Sequence, residues 1–396
     1  MRALQDAILA RAKASVDLVI GLIGAMAFFL GLMRVAQDGG LLRVLSRVIR
    51  PLLVRLFPDV PPDHPAMGAM VLNLAANALG LGNAATPFGI KAMKELDALN
   101  PHKGTATNAM VLFLAINTSS VTLLPTGVIV WRETLGSARA ADIMPTTLLA
   151  TLFSTSVAIL AAKTFQRFAR SPADVTPPDE VEVLPEAATE AVDEGYPAWV
   201  SWLSLAAVVA AVPLTVVYGT VVAPWIIPGL AFGMIAYGTV QGVPVYESFV
   251  AGAREGWDLA VRIIPYLVAI LVAVGMLQAS GALDVVIGVL DPVTSRLGLP
   301  GAALPMALLR PLSGSGALGV MVATMQDPAT GPDTYVGFLV STLQGSTETT
   351  FYVLAVYFGA VGVKRVRHAL AAALTADAAG ILGAVVACSA YFAWAL

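Results

Sequence analysis

One carboxylate, Glu348, stands among four hydroxyl side chains in an otherwise apolar part of the sequence. Ser346 and Thr347 precede it, Thr349 and Thr350 follow it, and apolar runs extend on both sides. Acids and hydroxyls inside a membrane span are energetically costly, and they usually face a cavity or a partner. The pattern therefore predicts a polar binding site. The alternative is that the hydroxyls only hold helices together, as serine and threonine often do between spans.

Polar side chains interrupt three other apolar segments, and we predict that they line the same site. The substrate-binding residues expected in addition to those above are Asn73, Asn77, Asn83, Thr86, Asn117, Thr118, Ser119, Ser120, Arg310, Ser313, Ser315 and Gln344. Arg310 is the lone cation of its apolar run, and a planar guanidinium suits a carboxylate or a phosphate. We expect it to face Glu348 or an anionic solute. The alternative is an arginine whose head reaches the membrane interface.

Other kinds of site are not indicated by the sequence. The three histidines, His64, His102 and His368, lie far apart, and the single cysteine, Cys388, lies in an apolar run. These residues show neither a metal-ligand spacing nor a disulfide framework. No second acid is predicted beside Glu348, and no nucleophile and base are spaced as a catalytic pair. We expect no metal, no cofactor and no enzymatic activity.

The composition is that of a membrane protein. Hydrophobic residues make up 57% of the chain and charged residues 12%, whereas a soluble domain carries about 25% charged residues. Many windows approach the ~20 apolar residues that a helical span needs. The sequence therefore predicts an all-α, multi-pass protein of a bacterial cytoplasmic (inner) membrane. The expected partners are the lipid bilayer and a small-molecule solute, and the net charge of -3 gives no reason to expect nucleic acid.

The elements that must position the polar residues follow one another twice along the chain. The first series is predicted as a span (15–36), an amphipathic interfacial helix (41–57), a re-entrant hairpin (66–89), a broken span (105–131) and a span (143–165). The second is predicted as a span (257–279), an amphipathic helix (283–297), a hairpin (300–325), a broken span (334–359) and a last span ending near 394. For residues 66–89 the alternative is a full span followed by a loop. Glycine, proline and asparagine interrupt the helix there, and broken backbone at membrane depth must be covered by protein or line a cavity.

Three domains are predicted: residues 1–165, a linker at 166–197, and residues 198–396, which include two extra spans at about 199–240. The linker is acidic and rich in proline, a composition typical of disorder. The two homologous regions are related by near-constant offsets. Gly40, Pro51 and Arg55 recur 241 residues later as Gly281, Pro292 and Arg296, while Thr118 and Ser119 recur 228 residues later as Ser346 and Thr347.

The number of crossings predicts that the two halves have opposite orientations. Each half crosses three times, since a hairpin makes no net crossing, and the two extra spans bring the total to about eight full spans. An inverted repeat with broken segments near the membrane midplane is the architecture of many secondary transporters. The alternative is a duplication retained only for packing. The distribution of lysine and arginine places the N-terminus outside, with Arg132 on the outer side.

Two stretches carry a resemblance to known families. Residues 77–93 resemble the signature of spore maturation protein A, and residues 346–359 with 367–370 resemble that of spore maturation protein B. The chain resembles a fusion of the two, which implies that they act as a pair. More distantly, the family is similar to the nucleoside-recognition (gate) domains of concentrative nucleoside transporters and of ferrous iron transporters, and this implies the same core with two hairpins and two broken helices. The chain lacks the GxxxxGK[ST] motif of a coupled nucleotide-binding domain.

Two classes of function are compatible with these features. The first is a transporter or permease for a small polar or anionic solute, such as a nucleoside-like molecule or a small carboxylate. A coupling proton or Na⁺ and a homo-oligomeric state are left open. The second is a non-transporting membrane factor for cell-envelope or spore maturation, whose polar centre is structural.

Overall fold

The computed structural model describes residues 2–80, 85–169, 195–217 and 219–394, and this part of the chain is built from α-helices. The helices of the first series are α1 (Arg2–Asp38), α2 (Leu41–Leu56), α3 (Pro65–Ala78), α4 (Thr86–Ala98), α5 (Asn108–Thr118), α6 (Thr126–Thr134) and α7 (Ile143–Phe165). Two helices follow, α8 (Ala198–Val217) and α9 (Gly219–Val240). The second series is α10 (Val245–Ala279), α11 (Ala282–Thr294), α12 (Leu304–Leu309), α13 (Gly314–Gln326), α14 (Tyr335–Ser346), α15 (Thr350–Gly359) and α16 (Ala369–Trp394).

The two series repeat in local detail as well as in order. Both α2 and α11 begin after a glycine in the left-handed region, Gly40 with φ 83° and Gly281 with φ 73°. Glycine adopts this conformation without the steric cost that a Cβ would impose. Both helices also contain a proline, Pro51 and Pro292. The equivalences predicted from the 241-residue offset are therefore found in equivalent backbone positions.

The segment predicted as the first hairpin contains two short helices. Helix α3 has 14 residues and α4 has 13, and the two pack against each other. At 1.5 Å per residue each is about 20 Å long, which is too short to cross a hydrocarbon core of about 30 Å. These lengths favour the hairpin over a full span followed by a loop, and the re-entry of this segment into the membrane stays a prediction. Residues 81–84 at the tip, which include Asn83, lie outside the described residues.

Both segments predicted as broken spans contain an interruption between two helices. In the first, residues 119–125 separate α5 from α6, and in the second, residues 347–349 separate α14 from α15. Thr347 (φ −143°, ψ 161°) and Thr349 (φ −81°, ψ 96°) are extended, so the helical hydrogen-bond pattern is lost at that point. The prediction followed from polar residues inside otherwise apolar helices, and the breaks occur at those residues.

The two series pack through their equivalent long helices. Helix α1 lies against α10 and α7 lies against α16. The approach between α1 and α10 is close: a Cβ built on Gly256 would lie 2.9 Å from the backbone nitrogen of Ala27. A Cβ on Gly383 of α16 would likewise lie 3.2 Å from the Cα of Ala150 in α7. Small residues at such contacts let helix backbones approach closely, as is typical of helix pairs in membranes.

The two broken segments run antiparallel to each other. Next to the start of α5 and the end of α15, the amides of Lys364 and Arg365 donate to the carbonyl of Gly104 at 2.9 and 3.0 Å. From the last turn of α6, the Arg132 guanidinium donates at 2.6 Å to the carbonyl of Pro332, which lies just before α14. The beginning of each broken segment therefore lies beside the end of the other, which is the relation that an inverted repeat requires.

Two of the described helices are long and apolar enough to cross a membrane by length and composition, Ala140–Phe165 and Ala369–Ala393. A third is obtained if Ile8–Gly21 and Ile23–Asp38, which meet at an angle of 41°, are counted as one bent span. The predicted spans at 15–36 and 257–279 are parts of the longer helices α1 and α10. The total of about eight spans stays a prediction, and most of the predicted linker, residues 170–194, lies outside the described residues.

Candidate functional site

The two breaks cross each other near the middle of the broken segments. The amide of Glu348 donates to the carbonyl of Thr118 at 2.8 Å, joining the second break to the end of α5. A carbonyl at a helix end has no partner within its own helix. The crossing therefore supplies partners for backbone groups that the breaks leave free, and it places the predicted polar residues of both series side by side.

Each hairpin docks onto the break of its own series. The amide of Leu123 donates to the carbonyl of Ala78 at the tip of the first hairpin at 2.9 Å, and the amide of Phe351 donates to the carbonyl of Pro311 at the tip of the second at 3.1 Å. Leu123 and Phe351 are 228 residues apart, which is the offset of the repeat in this region. A Cβ at Gly80 would overlap the carbonyl oxygen of Leu124, so the first tip needs a glycine there.

Arg310 lies at the tip of the second hairpin and is 6% exposed. Its Nη1 donates to Oγ1 of Thr349 at 3.2 Å, and its Nη2 donates to the carbonyl of Thr347. Oε2 of Glu348 lies 3.7 Å from Nη2. The predicted proximity of Arg310 and Glu348 is therefore confirmed. Burial inside the protein excludes the alternative of an arginine that reaches the membrane interface.

This guanidinium is incompletely paired. Its Nε has no hydrogen-bond partner among the described residues. The 3.7 Å separation from Glu348 is longer than the ~2.7–2.9 Å of a charge-assisted hydrogen bond. A buried cation in this state can accept an additional anionic group.

The environment of Glu348 differs from the expectation of a buried acid. Its side chain is 48% exposed. The buried acid is Asp377 of α16, which is 3% exposed and accepts a hydrogen bond from the Thr350 hydroxyl at 2.7 Å. The sequence analysis did not identify Asp377, which is hydrogen-bonded to Thr350 in the same polar segment as Glu348. The available signal was that Asp377 is the sole charged residue of an apolar helix.

Three of the predicted asparagines meet at a tyrosine that the sequence analysis did not identify. Nδ2 of Asn73 donates to the Tyr357 hydroxyl at 3.2 Å, and that hydroxyl lies 3.4 Å from Oδ1 of Asn117. Nδ2 of Asn77 donates to the same Oδ1 at 3.0 Å. This asparagine cluster links the first hairpin to both broken segments. A Cβ at Gly89 would overlap the Tyr357 hydroxyl, so the glycine makes the contact possible.

Several predicted hydroxyls bond within their own helix. Thr118 and Ser119 donate to the carbonyl of Ala115 at 2.9 Å, and Ser346 donates to the carbonyl of Leu343 at 3.1 Å. Such bonds satisfy the hydroxyl locally, which is the arrangement expected of helix packing. These three side chains are therefore occupied in a way that agrees with the structural alternative.

The remaining predicted residues have different environments. The Ser313 hydroxyl caps α13 by accepting from the amide of Gly316 at 3.0 Å. Ser120 is buried, and Thr86 and Ser315 are half-buried. Gln344 is half-buried with its Oε1 unpartnered within the described part of the chain. Among the described residues, no hydrogen bond links these side chains to Arg310.

Arg132, which is predicted on the outer side of the membrane, is a fully buried cation of a different kind. It is 0% exposed, and its Nη2 forms an ion pair with Asp333 at 3.0 Å. Its Nη1 also donates to Ser341 at 3.2 Å, and its Nε donates to the carbonyl of Ala140 at 3.2 Å. All its nitrogens are thus paired with protein, so Arg132 joins the two halves structurally and leaves nothing for a solute.

Comparison with known proteins gives the family. The model of the gate family, described as nucleoside recognition, matches residues 19–132 and 260–364. These two stretches begin 241 residues apart, the offset that relates Gly40 to Gly281. The chain is 47% identical over 160 residues to spore maturation protein B of Bacillus subtilis (strain 168), covering 40% of this chain and 89% of that protein. It is also 47% identical over 160 residues to spore maturation protein A of the same organism, covering 40% of this chain and 82% of that protein.

A solved structure of the concentrative nucleoside transporter CNTnw, in its intermediate 1 state, aligns with 94% of this chain and 76% of its own, with a TM-score of 0.40 and 14% identity. The resemblance found in the two sequence stretches is confirmed by the similarity to both spore maturation proteins. This chain therefore belongs to the gate (nucleoside recognition) family of membrane proteins, as a fusion of spore maturation protein A-like and B-like sequences.

Proposed function

We propose that this chain is an integral membrane transporter or permease for a small polar or anionic solute, of the size of a nucleoside or a small carboxylate. The solute would bind where the two breaks cross, between the hairpin tips. The observation that carries the proposal is the buried guanidinium of Arg310. Among the described residues its Nε is unpaired, and the acid with which it forms an ion pair, Glu348, is half-exposed and 3.7 Å away.

The comparison with Arg132 supports a binding role for Arg310. Both cations are buried, but Arg132 has a complete set of protein partners and a 3.0 Å ion pair. A buried charge is stable only when it is paired and hydrogen-bonded. The half-exposed Glu348 can move away from Arg310 at little cost, which would let the carboxylate or phosphate of a solute take its place.

The antiparallel broken segments support an inverted repeat with a two-fold axis in the plane of the membrane. In such transporters the substrate lies near the midplane, and one repeat moves against the other. We place the chain in a bacterial cytoplasmic membrane with about eight spans. A coupling ion and a homo-oligomer are compatible with this proposal.

Uptake by purified protein in liposomes tests the proposal. The panel would contain labelled nucleosides, small carboxylates and amino acids, and the proteins would be the wild type, Glu348→Gln and a matched control, Glu133→Gln. Glu133 is an exposed acid at the end of α6. We expect uptake of at least one solute class, lost in Glu348→Gln and retained in the control. Equal uptake by empty liposomes and all three proteins would refute transport of these solutes.

A non-transporting factor for cell-envelope or spore maturation is the second candidate. It is favoured by the hydroxyls of Thr118, Ser119 and Ser346, which are satisfied within their own helices. Under this function, a variant would alter the envelope phenotype only if it lowered the stability of the protein. Glu348→Gln should then be silent, whereas substitution of the structural Arg132 should not.

A further inference from the structure

The amphipathic helices α2 and α11 are equivalent in the repeat, and their apolar positions match. At the 241-residue offset, Val44 and Val48 of α2 recur as Val285 and Val289 of α11. Both helices begin after a left-handed glycine and contain a proline. The two helices therefore share a backbone and an apolar side, so a difference between their polar sides concerns what each polar side faces.

The polar sides of the two helices carry opposite charge. On α2, Arg43, Arg47 and Arg50 follow one another at steps of four and three residues, so they lie on one side of the helix. The equivalent residues of α11 are Asp284, Gly288 and Asp291. In an inverted repeat the two helices lie at opposite surfaces of the membrane, so one surface receives a cationic helix and the other an acidic one.

Helix α2 is held in place by contacts with the rest of the protein. It packs against α3 and α8, and its Leu53 is buried. Pro51 has no N–H to donate to the carbonyl of Arg47, four residues earlier in the helix. The amide of Tyr196 donates to that carbonyl instead, at 3.1 Å. The arginines of α2 therefore stand on a fixed helix.

The acid beside these arginines is a weak partner. Nη2 of Arg50 donates to the carbonyl of Pro62 at 3.1 Å and lies 3.3 Å from Oδ1 of Asp63, whose side chain is almost fully exposed. An ion pair in water contributes little. Helix α2 itself contains no acid, and Arg43 is exposed next to the exposed Val44. Cations beside apolar side chains suit a lipid, which offers a charged headgroup and acyl chains together.

We propose that the arginine side of α2, formed by Arg43, Arg47 and Arg50, binds the phosphate headgroups of anionic phospholipids. A planar guanidinium donates two parallel hydrogen bonds to a phosphate, while Val44 contacts the acyl chains. The predicted orientation places α2 at the cytoplasmic leaflet, whose surface is negatively charged. The acidic equivalents on α11 do not bind such lipids. This binding is independent of transport, so it holds for either proposed function.

Melting of the purified full chain in detergent, with phosphatidylglycerol or phosphatidylcholine added at increasing mole fraction, tests the proposal. A ligand that binds the native state raises the melting temperature, and we expect phosphatidylglycerol to raise it more. Arg43→Gln should leave the melting temperature without added lipid unchanged, because Arg43 is exposed. It should raise the half-saturating fraction of phosphatidylglycerol about fivefold, the effect of one basic residue at an anionic surface. Arg43→Asp, which copies the residue of α11, should raise it further.

Arg296→Gln is the matched control, because Arg296 is an exposed arginine at the end of the second amphipathic segment. This variant should titrate like the wild type. Inorganic phosphate separates a lipid site from a site for the free anion, and it should not raise the melting temperature. Native mass spectrometry counts bound phosphatidylglycerol directly, so it decides the question for a variant whose own melting temperature changes.

Four results would overturn the proposal. The first is equal stabilisation by phosphatidylcholine and phosphatidylglycerol. The second is an Arg43→Gln variant that binds phosphatidylglycerol as the wild type does. The third is an equal loss of binding in Arg296→Gln, and the fourth is stabilisation by inorganic phosphate alone.

Discussion

The substitution Glu348→Gln distinguishes a binding role of Glu348 from a structural role. The distance between Glu348 and Arg310 and the exposure of Glu348 limit how much this acid contributes to the stability of the protein. The Arg310–Glu348 pair is 3.7 Å apart, which corresponds to a direct Coulomb energy of about 4–5 kcal/mol at an effective dielectric constant of about 20. The Glu348 side chain is 48% exposed, so water screens the pair and brings its net contribution toward the ~0–1 kcal/mol of exposed ion pairs. We expect Glu348→Gln to lower the free energy of unfolding by at most about 1 kcal/mol.

Asp333→Asn is the matched control for this substitution, since it also changes an acid that faces a buried arginine. Arg132 is 0% exposed and its ion pair with Asp333 is 3.0 Å long. Asp333 is 33% exposed, so the loss of its charge from the fully buried Arg132 should cost less than the ~3–5 kcal/mol of a fully buried pair but more than the loss of an exposed pair. We expect this variant to melt at a clearly lower temperature than Glu348→Gln.

The assay follows melting in detergent through tryptophan fluorescence and uptake in liposomes, on the same preparations. Glu348→Gln should melt close to the wild type and lose at least about tenfold in uptake, which corresponds to about 1.4 kcal/mol. Glu348→Asp should retain more uptake than Glu348→Gln if the negative charge alone matters. If the length of the side chain also matters, its uptake should be nearly as low as that of Glu348→Gln. A Gln variant that is as unstable as Asp333→Asn, or one with normal uptake, would refute the binding role of Glu348.

Three further outcomes are expected. Tyr357→Phe removes the hydroxyl that joins the asparagine cluster, so it should lower the free energy of unfolding by about 1 kcal/mol, measured by the same melts; an unchanged melting temperature would contradict this contact. Cys388 is buried and is the sole cysteine of the chain, so single cysteines introduced at Ala138 or Lys364 can be labelled selectively with a membrane-impermeant maleimide. The two introduced cysteines should react from opposite sides of the membrane. Reaction of both from the same side would contradict the inverted repeat. Replacement of residues 171–195 by a Gly/Ser linker of equal length should leave uptake unchanged, and a large loss at normal expression would show that the linker takes part.

The order of the elements was determined by the sequence alone. Apolar runs, glycines and prolines act over a few residues, so they fix where helices begin, end and break without reference to distant contacts. The two short helices α3 and α4 and the interruptions at residues 119–125 and 347–349 lie in the segments where such signals predicted a hairpin and two broken helices. The internal repeat could also be recognised from the sequence, because the spacing between matching residues stays nearly constant even where the surrounding residues differ.

The pairing of individual side chains was decided only by the tertiary structure. Tyr357 meets Asn73 across a separation of 284 residues, and Arg132 meets Asp333 across 201 residues. Such contacts exist because two halves pack in opposite directions, and no local pattern encodes which residues then become neighbours. The same packing leaves Glu348 half-exposed and buries Asp377 instead. The sequence therefore determined which segments are polar and broken, whereas the antiparallel packing of the halves determined which acid is buried and which cation is left incompletely paired.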